Sequence, residues 1–147
     1  TLSECLIKKS KEYQIAKQCE IVDADGISIS TIENATSESY FSAIIKRVFE
    51  RFGKGACDLV RVVFYAKRFN RDIPELDWVF DDEVENIVLF AQFLGLKEFA
   101  FKGSSTSALS NLNIITKMGL SFRIEERHDY RDYMDESIVY PVSVISL

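Results

Sequence analysis

The sequence has no apolar run approaching the roughly 18 residues that a membrane span requires. Its opening stretch, TLSECLIKKSKEYQ, lacks the apolar core and small-residue cleavage site of a signal peptide. The expectation is a soluble, cytoplasmic protein that does not engage membranes. Cysteine is scarce: Cys5, Cys19 and Cys57 are odd in number, widely spaced and without a CxxC pair. That pattern argues for reduced packing residues and against a disulfide framework or a zinc site. Histidine is scarcer still, with His128 alone, so no histidine-rich metal site can form and no metal is expected. The glycine patterns GxxxxGKS/T and GxGxxG, which cradle nucleotide phosphates, are both missing.

What is present is ordinary globular material. The chain has 147 residues, 47% of them hydrophobic and 28% charged, which excludes disordered, collagenous and coiled-coil classes and fits one domain over residues 1–147. Its net charge of -5 is unevenly spread. Residues 42–71 hold Lys46, Arg47, Arg51, Lys54, Arg61, Lys67, Arg68 and Arg71 against Glu50 and Asp58, whereas residues 72–101 hold eight carboxylates against Lys97. Two readings follow: the blocks neutralise one another across neighbouring elements, or one of them faces a partner. An acidic protein with a single basic block is a poor nucleic-acid binder, so nucleic acid is not expected as a partner.

The hydropathy pattern predicts an α/β domain: a mixed sheet with a parallel βαβ centre and antiparallel margins, helices packed on the sheet. Residues 4–18 read as a helix started by Ser3. The segment CEIVDADGISISTIE places Asp25-Gly26 between two alternating runs, a hairpin signal. The polar stretch 34–39 caps an amphipathic helix carrying Tyr40, Phe41, Ile44, Ile45, Val48, Phe49 and Phe52, ended by Gly53 and Gly55. LVRVVFYA, residues 59–66, is β-branched and aromatic and reads as a buried strand. LDWVF, 76–80, reads as a short strand, after which Asp81 or Asp82 caps a helix with Glu83 and Glu85 in its first turn.

Two segments then share a design. FLGLKEFAF and KMGLSFRIE each combine a helix end, a glycine at C′ (Gly95, Gly119), a leucine folding back (Leu96, Leu120) and a strand. Strands near 59, 97 and 120 are therefore expected to be parallel. The last strand, IVYPVSVIS, contains Pro141, which confines that position to an edge or a bulge.

Four groups could carry chemistry or recognition. His128, within ERHDYRDYMDES, is either a general base or a solvated loop residue. Asp81, Asp82, Glu83 and Glu85 follow a strand, where oxygen ligands could hold magnesium, although helix capping explains them equally. Lys102, Gly103, Ser104, Ser105, Thr106 and Ser107 form a strand-to-helix junction whose amides and hydroxyls could cradle an anion or serve as a serine-rich cap. Asp129, Tyr130, Asp132, Tyr133, Met134 and Asp135 offer stiff aromatic area ringed by carboxylates, suited to a basic protein partner or to shielding a sheet edge.

The stretch from Asp82 to Glu126 resembles the C-terminal half of GNAT-type N-acetyltransferases: helix, strand KEFAF, helix ending KMGL, strand SFRIE. Lys117, Gly119 and Leu120 match that family's Lys-x-Gly-Phe-like helix end. The resemblance implies a related topology and acetyl-CoA as cofactor. Two departures accompany it: WVFDDEV has no glycine where the family's pyrophosphate loop would lie, and Ile115 stands where the family often carries a tyrosine general acid. Two functions from different classes follow. One is a non-catalytic protein-binding module of the inhibitor, antitoxin or immunity kind, acting through its acidic and aromatic surface and without a cofactor. The alternative is a divergent GNAT-like acyltransferase, or another small-ligand enzyme, using the 102–107 loop.

Overall fold

The computed structural model describes residues 26–77, 79–102, 106–131 and 136–147. The helix expected over 4–18 and the first arm of the hairpin expected before Gly26 lie outside the described residues. The second arm is helical instead: α1 spans Ile29–Glu33. The Ser28 hydroxyl accepts from the Thr31 N–H at 3.2 Å while Thr31 Oγ1 accepts from the Ser28 N–H at 2.8 Å, a reciprocal box that satisfies two orphan donors at the helix start.

Helix α2 spans Glu38–Phe52, with Ser37 accepting from the Tyr40 N–H. It buries Ala43, Ile44 and Val48 and stops at Gly53, whose φ of 89° is a conformation that suits glycine. The same residue opens α3, Lys54–Arg68, so one glycine turns the chain between two fifteen-residue helices. The strand expected over 59–66 is thus corrected to helix. Ala56, Leu59, Val60 and Val63 are buried at three- and four-residue spacing while Arg61 and Tyr65 are exposed, and this tertiary demand overrides the β-preference of the valines. Gly55 is likewise not a terminator. It lies inside α3 where α4 comes closest: a Cβ there would stand 2.8 Å from Cδ1 of Ile87.

Strand β1 is only Glu75–Leu76. Past it, the buried Asn111 side chain takes the place of a ladder partner, accepting from the Val79 N–H at 3.0 Å and donating to its carbonyl at 2.8 Å. Helix α4 spans Asp81–Leu94. Its N-cap is Phe80, which supplies no side-chain bond, so Asp81 and Asp82 act in the first turn rather than as caps. Both expected glycine stops are present: Gly95 (φ 76°) and Gly119 (φ 80°). The Gly95 and Leu96 N–H groups donate to the Gln92 and Ala91 carbonyls, and those of Gly119 and Leu120 to Thr116 and Ile115, the paired bonds of a Schellman stop. Leu96 and Leu120 pack back on the core.

These stops deliver β2 (Glu98–Lys102) and, after α5 (Thr106–Lys117), β3 (Ser121–Arg131), followed by β4 (Glu136–Ser146). The sheet is mixed, in the order β1-β2-β4-β3, with helices around it. The parallel ladder is β1 with β2, at one edge, while β4 runs antiparallel between β2 and β3. Strands near 97 and 120 therefore share a direction without touching, and no strand exists near 59. Pro141 lies opposite Glu126 of β3, one residue beyond the Lys102–Val142 pairing where β2 ends. At that point β4 has one neighbour, so the missing donor leaves no partner unsatisfied. The expected connector 128–137 is in part strand, since His128–Arg131 pair with Glu136–Val139.

The main core lies between the helices and one sheet face, with Phe99, Phe101 and Ile145 against Val48, Leu59, Val84, Ile87 and Phe90. The other face has a smaller cluster of Ala100, Val142 and Val144, against which Ile73 and Tyr140 pack. No helix among the described residues is long and apolar enough to cross a membrane.

Candidate functional site

Two concave regions compete for a functional role. The first lies on the second sheet face, where Phe69, Arg71, Asp72, Ile73, Glu75, Glu125, Arg127 and His128 line a cavity of about 460 Å³. At its base is Glu75, a buried carboxylate on the two-residue strand β1. Its Oε2 accepts from Arg71 Nη1 at 3.0 Å and from the Tyr140 hydroxyl at 2.8 Å, and its Oε1 from Arg127 Nε at 3.0 Å. Arg71 also donates to the Tyr140 oxygen at 3.0 Å. The chain of charge continues outward: Arg127 to Glu125, Glu125 to Arg123, Arg123 to Glu98.

The protonation energetics follow this wiring. Burial pushes the Tyr140 phenol up; the Arg71 hydrogen bond pulls it down and the Glu75 one pushes it up again. Hydrogen bonds from Arg123, and after it Arg127, hold the Glu125 carboxyl below the usual range. The network is internally matched in sign, with both Glu75 oxygens already engaged, so it fastens β1, β3 and β4 together and offers a visiting anion no surplus cation.

The second region is the groove along the α2–α3 hairpin, about 540 Å³, lined by Phe41, Ser42, Ile45, Lys46 and Phe49 of α2 and Lys54, Cys57 and Arg61 of α3. Its floor is apolar and its rim basic. Phe49 is 58% exposed, a large cost to leave in water if it served packing alone. Cys57 is buried at the floor with its thiol toward the Ile45 carbonyl; burial raises its pKa, Arg61 lowers it and Asp58 raises it, so it stays a thiol rather than a nucleophilic thiolate. Of the rim cations Arg61 pairs with Asp58, whereas Lys46 and Lys54 have no ion-pair partner among the described residues. No carboxylate lines the groove.

The ion pairs among the described residues bear on the two readings of the charge blocks. Arg47 and Arg61 pair within their own helices, with Glu50 and Asp58, and Lys67 pairs with Glu33. Among the described residues, Arg71–Glu75 is the pair that joins the basic block to the acidic one.

The other candidates fall as follows. Asp81 is tied to α5, accepting from Ser110 Oγ at 2.5 Å and from Asn111 Nδ2 at 3.0 Å, which makes it a helix-to-helix fastener. No group of metal-ligating side chains stands together among the described residues. His128 is not in a loop: it lies on β3 opposite Val139, exposed, at the cavity wall. Lys102 ends β2 and is exposed, while Thr106 and Ser107 begin α5; Gly103, Ser104 and Ser105 lie outside the described residues. Asp129 and Tyr130 occupy β3 opposite Ile138 and Ser137, and Asp132, Tyr133, Met134 and Asp135 lie outside the described residues. The Glu75 network and the groove were both missed from the sequence; the i, i+4 pair Arg71–Glu75 and the width of the apolar arc on α2 were the available signals. No family model, curated protein or solved structure matches the chain.

Proposed function

We propose that this chain is a non-catalytic protein-binding module of the inhibitor, antitoxin or immunity kind, and that its α2–α3 groove receives an acidic amphipathic helix of a partner protein. The observation that carries this is the groove itself: an apolar floor of Phe41, Ile45 and Phe49 under a rim of Lys46, Lys54 and Arg61, with no lining carboxylate. An amphipathic helix with apolar anchors at i, i+4 and i+7 and flanking Asp/Glu is its complement in shape and charge. The pairing of the Glu75 network supports the non-catalytic part, because its carboxylate is engaged by three donors.

A titration with a fluorescent acidic amphipathic helical peptide tests the reading. Anisotropy rises for the wild-type chain, the binding weakens with added salt, and Phe49→Ser and Lys46→Glu each lose most of it while melting as the wild type does. Equal binding by all three chains, or preference for a basic peptide, contradicts the groove. A preference for the basic peptide instead supports the acidic segment 129–135.

GNAT-like acyl transfer is the second reading, favoured by the order α4, β2, α5, β3, which follows the helix–strand–helix–strand series of the resemblance. Against it, Ile115 is apolar and fully buried in the core. Acetyl-CoA binding at the 102–107 loop in the millimolar range is what that reading requires.

A further inference from the structure

Strand β3, eleven residues long, is the outer strand of the sheet, and one side of it has no strand neighbour among the described residues. Long edges invite pairing with another chain unless they are blunted. The helix-side face of β3 begins with Phe122 and Ile124, 40% and 61% exposed, and continues with Glu126 and His128, while the other face alternates Arg123, Glu125 and Arg127. We propose that β3 pairs antiparallel with β3 of a second copy of this chain, with the two-fold axis at Ile124, joining the two sheets into one.

Charge narrows the register, and the exposed Phe122 and Ile124 select it. A two-fold perpendicular to the sheet keeps each residue on its own face, so the axis must pass through a residue, because opposed residues share a face. An axis at Arg123 sets two arginines against each other. An axis at Glu125 opposes glutamates and also sets Arg123 against Arg127, one at Glu126 again opposes glutamates, and one at Arg127 opposes arginines. An axis at His128 brings no like charges together but leaves Phe122 and Ile124 uncovered, and one at Phe122 overlaps only residues 121–123 of the strand. With the axis at Ile124, Ile124 meets its own copy, Arg123 lies opposite Glu125 of the second copy on both sides of the axis, and Phe122 lies opposite the aliphatic stem of Glu126. No opposed pair in that central stretch then sets like charges together. The in-chain partners of Arg123 and Glu125 stay in place, because the second copy extends the alternation instead of displacing it.

Light scattering across a concentration series, with cross-linking by introduced cysteines, tests this on the full chain. The wild type gives twice the 16.8 kDa chain mass at high concentration and dissociates on dilution. Ile124→Lys, which places two cations at the axis on an exposed site, gives the single-chain mass throughout and melts as the wild type does at dilutions where the wild type is also a single chain. With Cys5 and Cys19 replaced by serine, Ile124→Cys forms a disulfide between copies under mild oxidation, since directly opposed residues lie about 4.5–5.5 Å apart. Glu126→Cys does not, because its two copies stand roughly 13 Å apart in this register. A wild-type chain that keeps the single-chain mass at every concentration, an Ile124→Lys chain that still dimerises, or cross-linking through position 126 in place of 124 overturns the proposal.

Discussion

The two faces of the sheet are dry for different reasons. On the helix side Phe99, Phe101 and Ile145 are fully buried in a cluster to which all five described helices contribute apolar side chains. On the other side Ala100, Val142 and Val144 are equally buried, yet they lie among Arg–Glu pairs that cross strands: Arg123 reaches from β3 to Glu98 on β2, and Arg127 from β3 to Glu75 on β1. Small residues make this workable, because arginine stems lying across a sheet can cover an alanine or a valine while keeping their heads paired. They could not cover a phenylalanine. The helix side therefore holds the fold through area removed from water, and the charged side holds the register of short β1 through matched ions that are costly to break and add little net stability when intact.

The largest effect expected is on the helix side. Phe99→Ala removes a fully buried ring that stands edge-on to Phe101 at 5.4 Å, and should lower stability by about 3–5 kcal/mol in urea denaturation. If it costs no more than a change on the charged side, the contrast between the faces is wrong. Glu75→Gln comes next: it leaves Arg71 and Arg127 sharing a site with no anion between them, and a loss of about 2–3 kcal/mol is expected, with the melting transition still cooperative. A loss below 0.5 kcal/mol, the level of a surface pair, would make the network ornamental. Gly95→Ala forces a left-handed alanine at the entry to β2, which serves both faces, at a cost of about 1 kcal/mol.

The smallest effect is a pH dependence confined to the charged side. The Tyr140 phenol titrates above its unfolded value of about 10, chiefly because it is buried. Its contribution is therefore fully present below that value and is lost as pH rises through the folded one. Urea midpoints measured from neutral to alkaline pH should fall more steeply for the wild type than for Tyr140→Phe. The same fall in both chains assigns the alkaline loss elsewhere.

How far the sequence discloses these features depends on how local they are. The stops at Gly95 and Gly119 are short-range devices of five or six residues and are legible without a fold. Helix α3 is not, because LVRVVFYA viewed as an eight-residue window is a β-branched run, and only its continuation back to Ala56 exposes the helical period. Apart from the Arg71–Glu75 pair, four residues apart, the Glu75 network joins positions 52 to 69 residues apart, so no window contains the whole of it. The groove lies between. Seven apolar residues on one face of α2 read as core, whereas the core takes Ala43, Ile44 and Val48 whole, takes Phe41 and Ile45 only in part, and leaves Phe49 exposed at the hairpin surface. An apolar arc wider than packing needs, next to Lys46, is a signal of binding that composition alone reads as burial.

The central claim is that the surface left over from packing, on the α2–α3 hairpin, is the one that works. Amide chemical-shift mapping on the labelled chain, titrated in turn with the acidic amphipathic peptide and with acetyl-CoA, tests it most directly. The account predicts shifts for the peptide concentrated in residues 41–61 and none there for acetyl-CoA. Shifts for acetyl-CoA at residues 102–107, with the hairpin silent toward the peptide, would contradict it.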